Sequence, residues 1–327
     1  MPFREILGHA TSVEILTRAV GSGRLHHAYR FEGPDGVGKE LAAFGVAQCL
    51  VCERPSQGLA CCSCGACRRT KTIATEPPQV PQHPDVVLLA RGLYPPAVLG
   101  TSSPETSAIG IEQVRRMVLA RIGFSSHEGR GLVFIVRDAD ELSQSAANAL
   151  LKTLEEPPDR VHFILLTSRP NRLLDTIRSR TLPIRFGALS DEVLERILEQ
   201  RQITAPAVVP LAQGSARLML ELACSEKLEE RDQFVDAIRR AIAAPDLAAA
   251  LDVIGKKQEE RDELKIQLAW LVARLAVDAK AHAETEPAEA ERLSIHHQIV
   301  TQTLRDLERN GQPALMLESM LTRLRRA

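Results

Sequence analysis

Between residues 28 and 186 the chain alternates short, mostly apolar runs with longer stretches whose apolar positions recur at helical spacing. The runs HAYRFEG (27–33), DVVLLA (85–90), GLVFIV (131–136), HFILLTS (162–168) and LPIRF (182–186) are rich in branched and aromatic residues and predict buried strands. Between them, GKELAAFGVAQCL (38–50), IGIEQVRRMVLARI (109–122) and SQSAANALLKTLEE (143–156) predict helices. The last is stopped by Pro157 and Pro158, which cannot continue it. Strands separated by crossover helices imply a parallel sheet covered on both faces.

Beyond Phe186 the strand signals stop. SDEVLERILEQ (190–200), with Ser190 as N-cap, and APAVVPLAQGSARLMLELA (205–223) predict a small unit of short helices. From about Glu226 to Ala327 helical periodicity returns in long segments such as RDELKIQLAWLVARLAVDAKAHAE (261–284). The expected organisation is an α/β domain over 1–187, a helical unit over 188–225 and a larger helical domain over 226–327. The Pro-, Ser- and Thr-rich stretch 91–108 predicts a mobile surface loop.

A length of 327 residues exceeds what one hydrophobic core usually serves. Composition is that of an ordinary soluble protein, 44% hydrophobic and 25% charged. A net charge of −1 excludes global attraction to nucleic acid and leaves only local patches. With 3% aromatics, a base-stacking platform for single strands is not expected. No apolar run reaches 18 residues and MPFREILGHA lacks a signal-peptide layout, so the expectation is a cytoplasmic chain with no membrane contact.

GPDGVGKE (33–40) has the glycines Gly33, Gly36 and Gly38 and the lysine Lys39 of a phosphate-binding loop, between a predicted strand and helix. The next position should carry the hydroxyl that ligates magnesium, and here it is Glu40. The strand run ending at Val136 should be followed by the aspartate of the magnesium shell. Arg137 stands there, and Asp138 after it is at best a vestigial catalytic acid. Two altered metal positions predict a site that does not hydrolyse ATP and put ATP or ADP binding there in question.

Six of seven cysteines lie between Cys49 and Cys67; the seventh is Cys224. Cys52, Cys61, Cys64 and Cys67 have the spacing of a four-thiolate structural zinc module at about 50–70. Cys62 competes with Cys61 for one place, and Cys49 reads as a small buried residue. In LLTSRPNRLLDTIRSRT (165–181), Thr167 and Ser168 end a strand, and Arg178 and Arg180 precede the next. These arginines are either solvated surface charges or a guanidinium offered to a neighbouring phosphoryl group.

ILGHATSVEIL, RLHHAYRFEGPDGVGKE, the zinc cysteines, EGRGLVFIVRDADEL, ANALLKTLEEPP and TIRSRT, in this order, resemble the AAA+ clamp-loader family, and within it the delta-prime subunits of bacterial DNA polymerase III. LERNGQPALMLESMLTRL (307–324) is similar to the family's final collar helix. The resemblance implies an α/β AAA+ P-loop domain with a zinc-binding insertion, a small helical lid and an all-α collar. It also implies partners: motor (gamma/tau) and delta subunits in a five-membered ring that loads a sliding clamp onto primed DNA. Arg180 then matches the family's arginine finger, acting on a neighbour's ATP, although Thr181 replaces the cysteine of the S-R-C signature. Arg217 in GSARLML matches a nucleotide-sensing arginine, which at an inactive site ranks below a packing or surface role. The alternative within the family is an active gamma/tau-like motor, from which Glu40 and Arg137 depart.

Overall fold

The computed structural model describes residues 2–102, 107–123, 126–128, 131–205, 208–223, 228–246, 248–250, 261–308 and 312–327. The chain divides into two compact units, 1–188 and 189–327. The further boundary expected at 225/226 lies outside the described residues, as does Cys224.

The first unit is built on five parallel strands, β1 (Ala28–Glu32), β2 (Val86–Leu89), β3 (Leu132–Val136), β4 (Val161–Thr167) and β5 (Leu182–Arg185). Their order is β2-β3-β4-β1-β5, with Ala28 beside Phe163 and Tyr29 beside Leu182. This is a parallel sheet of an α/β domain, and all five predicted strands are in it. β2 and β3 are buried at every position, which is why they read as unbroken apolar runs. β5 lies at an edge, where Pro183 is tolerated and Leu182 stays 44% exposed.

Helix α1 (Ala10–Gly21) precedes the sheet, α2 (Lys39–Val51) follows β1, and α3 (Gly65–Lys71) belongs to the cysteine-rich insertion. The helix Gln144–Glu155 starts where the Ser143 hydroxyl accepts the Ala146 N–H at 3.2 Å. It packs Ala146, Ala147, Leu150 and Leu154 into a core with Phe134 and Phe163. The stretch 111–122, expected as one regular helix, is helical throughout but passes through a π-turn at Arg115–Leu119.

The expectation of a surface loop over 91–108 is only partly met. Tyr94 and Leu99 are buried in the core, a helical turn runs Pro96–Leu99, and the Tyr94 hydroxyl donates to Leu88 O at 2.8 Å. Polar flanks concealed two anchors that burial of apolar area holds in place. Residues 103–106 lie outside the described residues.

The second unit is helical: Asp191–Gln200, Ala216–Ala223, Leu228–Ala243, Arg261–His282, Pro287–Glu308 and Pro313–Leu324, with no strand among the described residues. Ser190 takes the N-cap position in extended backbone, but its side chain makes no capping bond. A buried Arg231 donates to Leu222 O at 3.2 Å and stacks 6.0 Å from the centre of Trp270, joining three of these helices. Among the described residues no helix is long and apolar enough to cross a membrane.

Candidate functional site

β1 feeds directly into the glycine-rich loop. Gly33 has φ +149°, and a Cβ there would stand 1.9 Å from Phe186 O, so the crossing beside β5 requires glycine. Gly38, at φ +107°, turns the chain into α2. His9, 6% exposed, donates its Nε2 proton to Val37 O at 2.8 Å and pins the loop from outside. Burial lowers the pKa of His9, which keeps the ring neutral at pH 7.

Lys39 is not extended toward an open cradle. Its ammonium donates to Gly33 O at 2.5 Å and Pro34 O at 2.6 Å and lies 3.5 Å from Asp35. Burial lowers its pKa, while Asp35, Asp138 and Asp140 oppose that shift. Arg137, at the end of β3, forms a bidentate ion pair with Glu40, Nη2 to Oε1 at 2.5 Å and Nε to Oε2 at 3.1 Å. The two residues that depart from the magnesium-binding pattern therefore neutralise one another across α2 and β3. Both side chains are more than a third exposed, so the pair is worth no more than about 1 kcal/mol to stability.

Asp138 follows in the left-handed region at φ +49°. Its pKa is pushed up to about 6, first by burial, then by Asp35, Glu141 and Asp140, with Arg137 opposing. A raised acid pKa means that folding favours the protonated form, so stability is lost as pH rises from the unfolded value toward about 6. Asp138→Asn is therefore expected to be more thermostable than wild type above pH 6, with the difference vanishing below about pH 4. Melting temperatures across that range test the assignment. Asp140 is engaged differently: it accepts from the Thr167 hydroxyl at 2.6 Å and from Arg169 Nε at 2.8 Å.

The second cluster lies in the insertion after α2. The sulfurs of Cys52, Cys61, Cys64 and Cys67 all fall within 4.8 Å of one another, with Cys52 Sγ 3.6 Å from Cys61 Sγ and 3.9 Å from Cys64 Sγ. Tetrahedral Zn–S bonds of about 2.3 Å require S···S separations of about 3.8 Å, so the donor set fits zinc. The N–H groups of Cys61, Cys64 and Cys67 point at Cys52, Cys61 and Cys64 Sγ, which stabilises thiolates. Hydrogen bonds from the Ser63 N–H and hydroxyl, then the Cys64 N–H, hold Cys61 down to about 5. Cys62 is turned away at φ +59°, its sulfur 3.6 Å from Ala60 O, and stands outside the group of four. Cys49 is buried, and burial pushes its thiol up to about 12.

Arg180 sits just before β5, at the opposite end of the sheet from the loop. The register sets it level with residue 27, six residues before Gly33, a distance on the order of 20 Å along the strands. Its Nη2 pairs with Glu155 Oε1 at 2.6 Å, and Nη1 donates to Thr176 O at 2.9 Å and Ser179 Oγ at 3.1 Å. Arg178 pairs with Asp175 at 3.1 Å. Arg217 is 74% exposed and pairs with Glu221 at 2.8 Å along its own helix.

The model of the family described as "DNA polymerase III, delta subunit" matches residues 8–190, which takes in the loop, the cysteine cluster and Arg180. The chain belongs to this family. Among its relatives, the DNA polymerase III subunit delta' of Escherichia coli is 30% identical over 275 residues, 82% of this chain and 74% of that one. The DNA polymerase III subunit gamma/tau of Mycobacterium bovis is 33% identical over 224 residues, 66% of this chain. The chain spans about a third of the length of that gamma/tau protein, 35%. A gamma subunit-related protein of Thermotoga maritima, solved by crystallography, aligns at 17% identity and TM-score 0.48 over 96% of this chain and 99% of that one.

Residues that sequence reasoning did not single out include His9, Asp35, Ser63, Asp140 and Glu155, and also Arg30 of β1, which donates to Thr181 Oγ1 at 2.7 Å. For Arg30 a signal exists, a charge between Tyr29 and Phe31 in a strand that the pattern predicts to be buried on both faces.

Proposed function

We propose that this chain is a delta-prime-like subunit of the DNA polymerase III clamp loader, inert at its own phosphate loop and acting on a neighbour through Arg180. The observation that carries the reading is the Glu40–Arg137 pair. A working phosphate-loop site needs a hydroxyl and a carboxylate converging on magnesium. Here a carboxylate and a guanidinium take those places and satisfy each other, while Lys39 is held by the loop's own carbonyls. This arrangement does not fit a magnesium–nucleotide complex, and no hydrolytic step is assigned to it. Retaining Gly33 is explained by its close crossing under Phe186, a requirement of the sheet rather than of a ligand, while Gly36 and Gly38 stand at positive φ.

The placement of Arg180 supports a role in trans. An arginine side chain cannot span the order of 20 Å to its own loop, so a phosphoryl group that Arg180 reaches would belong to another chain. The partners on this reading are motor (gamma/tau) and delta subunits in a five-membered ring, with the sliding clamp and primed DNA reached through the assembly in the cytoplasm. Its helical half divides into a lid to about residue 225 and a collar beyond. Zinc, held by Cys52, Cys61, Cys64 and Cys67, is structural, because four protein ligands leave no open position for chemistry.

The competing reading is a gamma/tau-like motor. The purified chain alone is expected to hydrolyse no ATP above background, and Lys39→Ala in this chain is expected to leave the loader's hydrolysis unchanged. Hydrolysis by the isolated chain that disappears in Lys39→Ala would select the motor instead.

A further inference from the structure

The arginine proposed to act in trans stands on a short turn between a one-turn helix, Asp175–Arg178, and the exposed edge strand β5. Ile177 anchors the helix in the core and β5 pairs with β1, but the turn between them, Ser179 and Arg180, buries no apolar side chain of its own. A guanidinium that stabilises a transition state has to be held within about 0.5 Å of its working position. Something else must fix this turn.

The candidate is Arg30, in the middle of β1. Its side chain is 8% exposed, between the core residues Tyr29 and Phe31. A guanidinium buried in a sheet is costly unless its donors are matched. Here Nε donates to Glu32 Oε1 at 2.6 Å, and Nη1 donates to Arg178 O at 2.9 Å and to Thr181 Oγ1 at 2.7 Å. The Thr181 hydroxyl passes its own proton to Ile177 O at 2.9 Å, the same carbonyl that accepts the Arg180 N–H at 3.1 Å. The bonds therefore land on both sides of Ser179 and Arg180 and clamp the turn to β1. On the outer side, Arg180 lines an open pocket of ≈ 600 Å³ with His26, His27, Glu155 and Leu182, its Nε carrying no hydrogen-bond partner.

We propose that Arg30 is a positioning residue for Arg180, acting through the hydroxyl of Thr181. The inference rests on the reading of Arg180 as a finger. It also assigns a purpose to threonine at this position: a hydroxyl accepts from Arg30 and donates to Ile177 at once, which a thiol does weakly. β1 then carries the silent phosphate loop at one end and, through Arg30, steadies the acting arginine at the other.

Arg30→Leu is a poor first test, because Glu32 and Arg178 O would lose their partner inside the sheet and the fold itself is at risk. The test uses the reconstituted loader with this chain as wild type, Thr181→Val, Thr181→Ser, Arg180→Ala and the Arg180→Ala/Thr181→Val double variant. Single-turnover ATP hydrolysis and nucleotide affinity are both measured. Thr181→Val is expected to slow hydrolysis at the neighbouring site roughly 10-fold, since misplacement by about 1 Å costs up to 10²-fold. Nucleotide affinity should stay unchanged, Thr181→Ser should restore the rate to within about twofold, and the valine should add nothing once Arg180 is absent. If Arg180→Ala slows hydrolysis and Thr181→Val does not, the positioning role is overturned and the finger stands. An equal loss from Thr181→Val in the presence and absence of Arg180 overturns it too, because the effect then bypasses Arg180. No loss from Arg180→Ala removes the finger, and the positioning role with it.

Discussion

Replacing Arg180 by alanine is expected to slow ATP hydrolysis at one neighbouring site of the assembled loader by roughly 10²–10³, somewhat less than the 10³–10⁵ that arginine fingers contribute in GTPases. A steady-state rate would dilute the effect over all sites, so the decisive experiment is a single turnover on primed DNA and clamp. One ATP should drop out of the burst while the others react normally. Assembly must be shown first, by size and composition of the complex, because Arg180 also pairs with Glu155 within its own chain. That pair is partly exposed, with side chains 33% and 48% accessible, so its loss costs no more than about 1 kcal/mol and should not unfold the unit. A burst of unchanged amplitude and rate from a fully assembled complex would mean that Arg180 is a surface residue.

Glu155 bears on how the finger works. In the isolated chain its carboxylate holds one edge of the guanidinium, and a neighbour's phosphate would have to compete for the same donors. The ion pair keeps the arginine extended along the sheet end rather than sampling many rotamers. Part of the ordering cost is thereby met before the subunits join.

Strands β1 to β4 were legible in the sequence because each is buried on most of its length and its apolar run is bounded by charges or turn residues, as Val133–Val136 is by Arg137, whereas β5 buries only Ile184. The loop was legible because Gly33 at φ +149° and Gly38 at φ +107° take backbone conformations that residues with a Cβ rarely adopt. What the chain did not disclose is pairing. Glu40 and Arg137 are 97 positions apart, and nothing local to either predicts that α2 and β3 would bring them within 2.5 Å. Arg30 and Thr181 are separated by 151 positions and meet only because β5 lies beside β1. The stretch 91–108 misled for a different reason: two buried side chains, Tyr94 and Leu99, sit among prolines and serines that dominate any window average. In each case the missing information was tertiary.

The insertion offers the second large effect. Between residues 52 and 71 the side chains with almost no exposure are Cys52, Ala60, Cys64, Ala66, Cys67 and Thr70, so half of its interior consists of the proposed metal ligands. A segment this small cannot bury enough apolar surface to fold alone, and structural zinc contributes about 10–16 kcal/mol of apparent binding energy in peptides. Purified chain is expected to hold about one zinc per molecule without added metal. Cys64→Ser, or a strong chelator, should release the zinc and strip amide protection from 52–71. The sheet should keep its protection, because β1 to β5 are joined by bonds that do not pass through the insertion. The module is tied to the rest of the unit by Arg69 to Glu128 at 2.5 Å, by Lys71 to Glu5 at 2.9 Å and by Gln48, whose amide donates to Cys67 O at 2.9 Å from α2, so the end of α2 should fray with it. Cys62→Ser is the contrasting variant. Its sulfur faces Ala60 O and not the other four, so metal content and protection should match wild type. Zinc lost in Cys62→Ser but retained in Cys61→Ser would exchange the two assignments, and a metal content near zero in wild type would leave the four thiols without their proposed role.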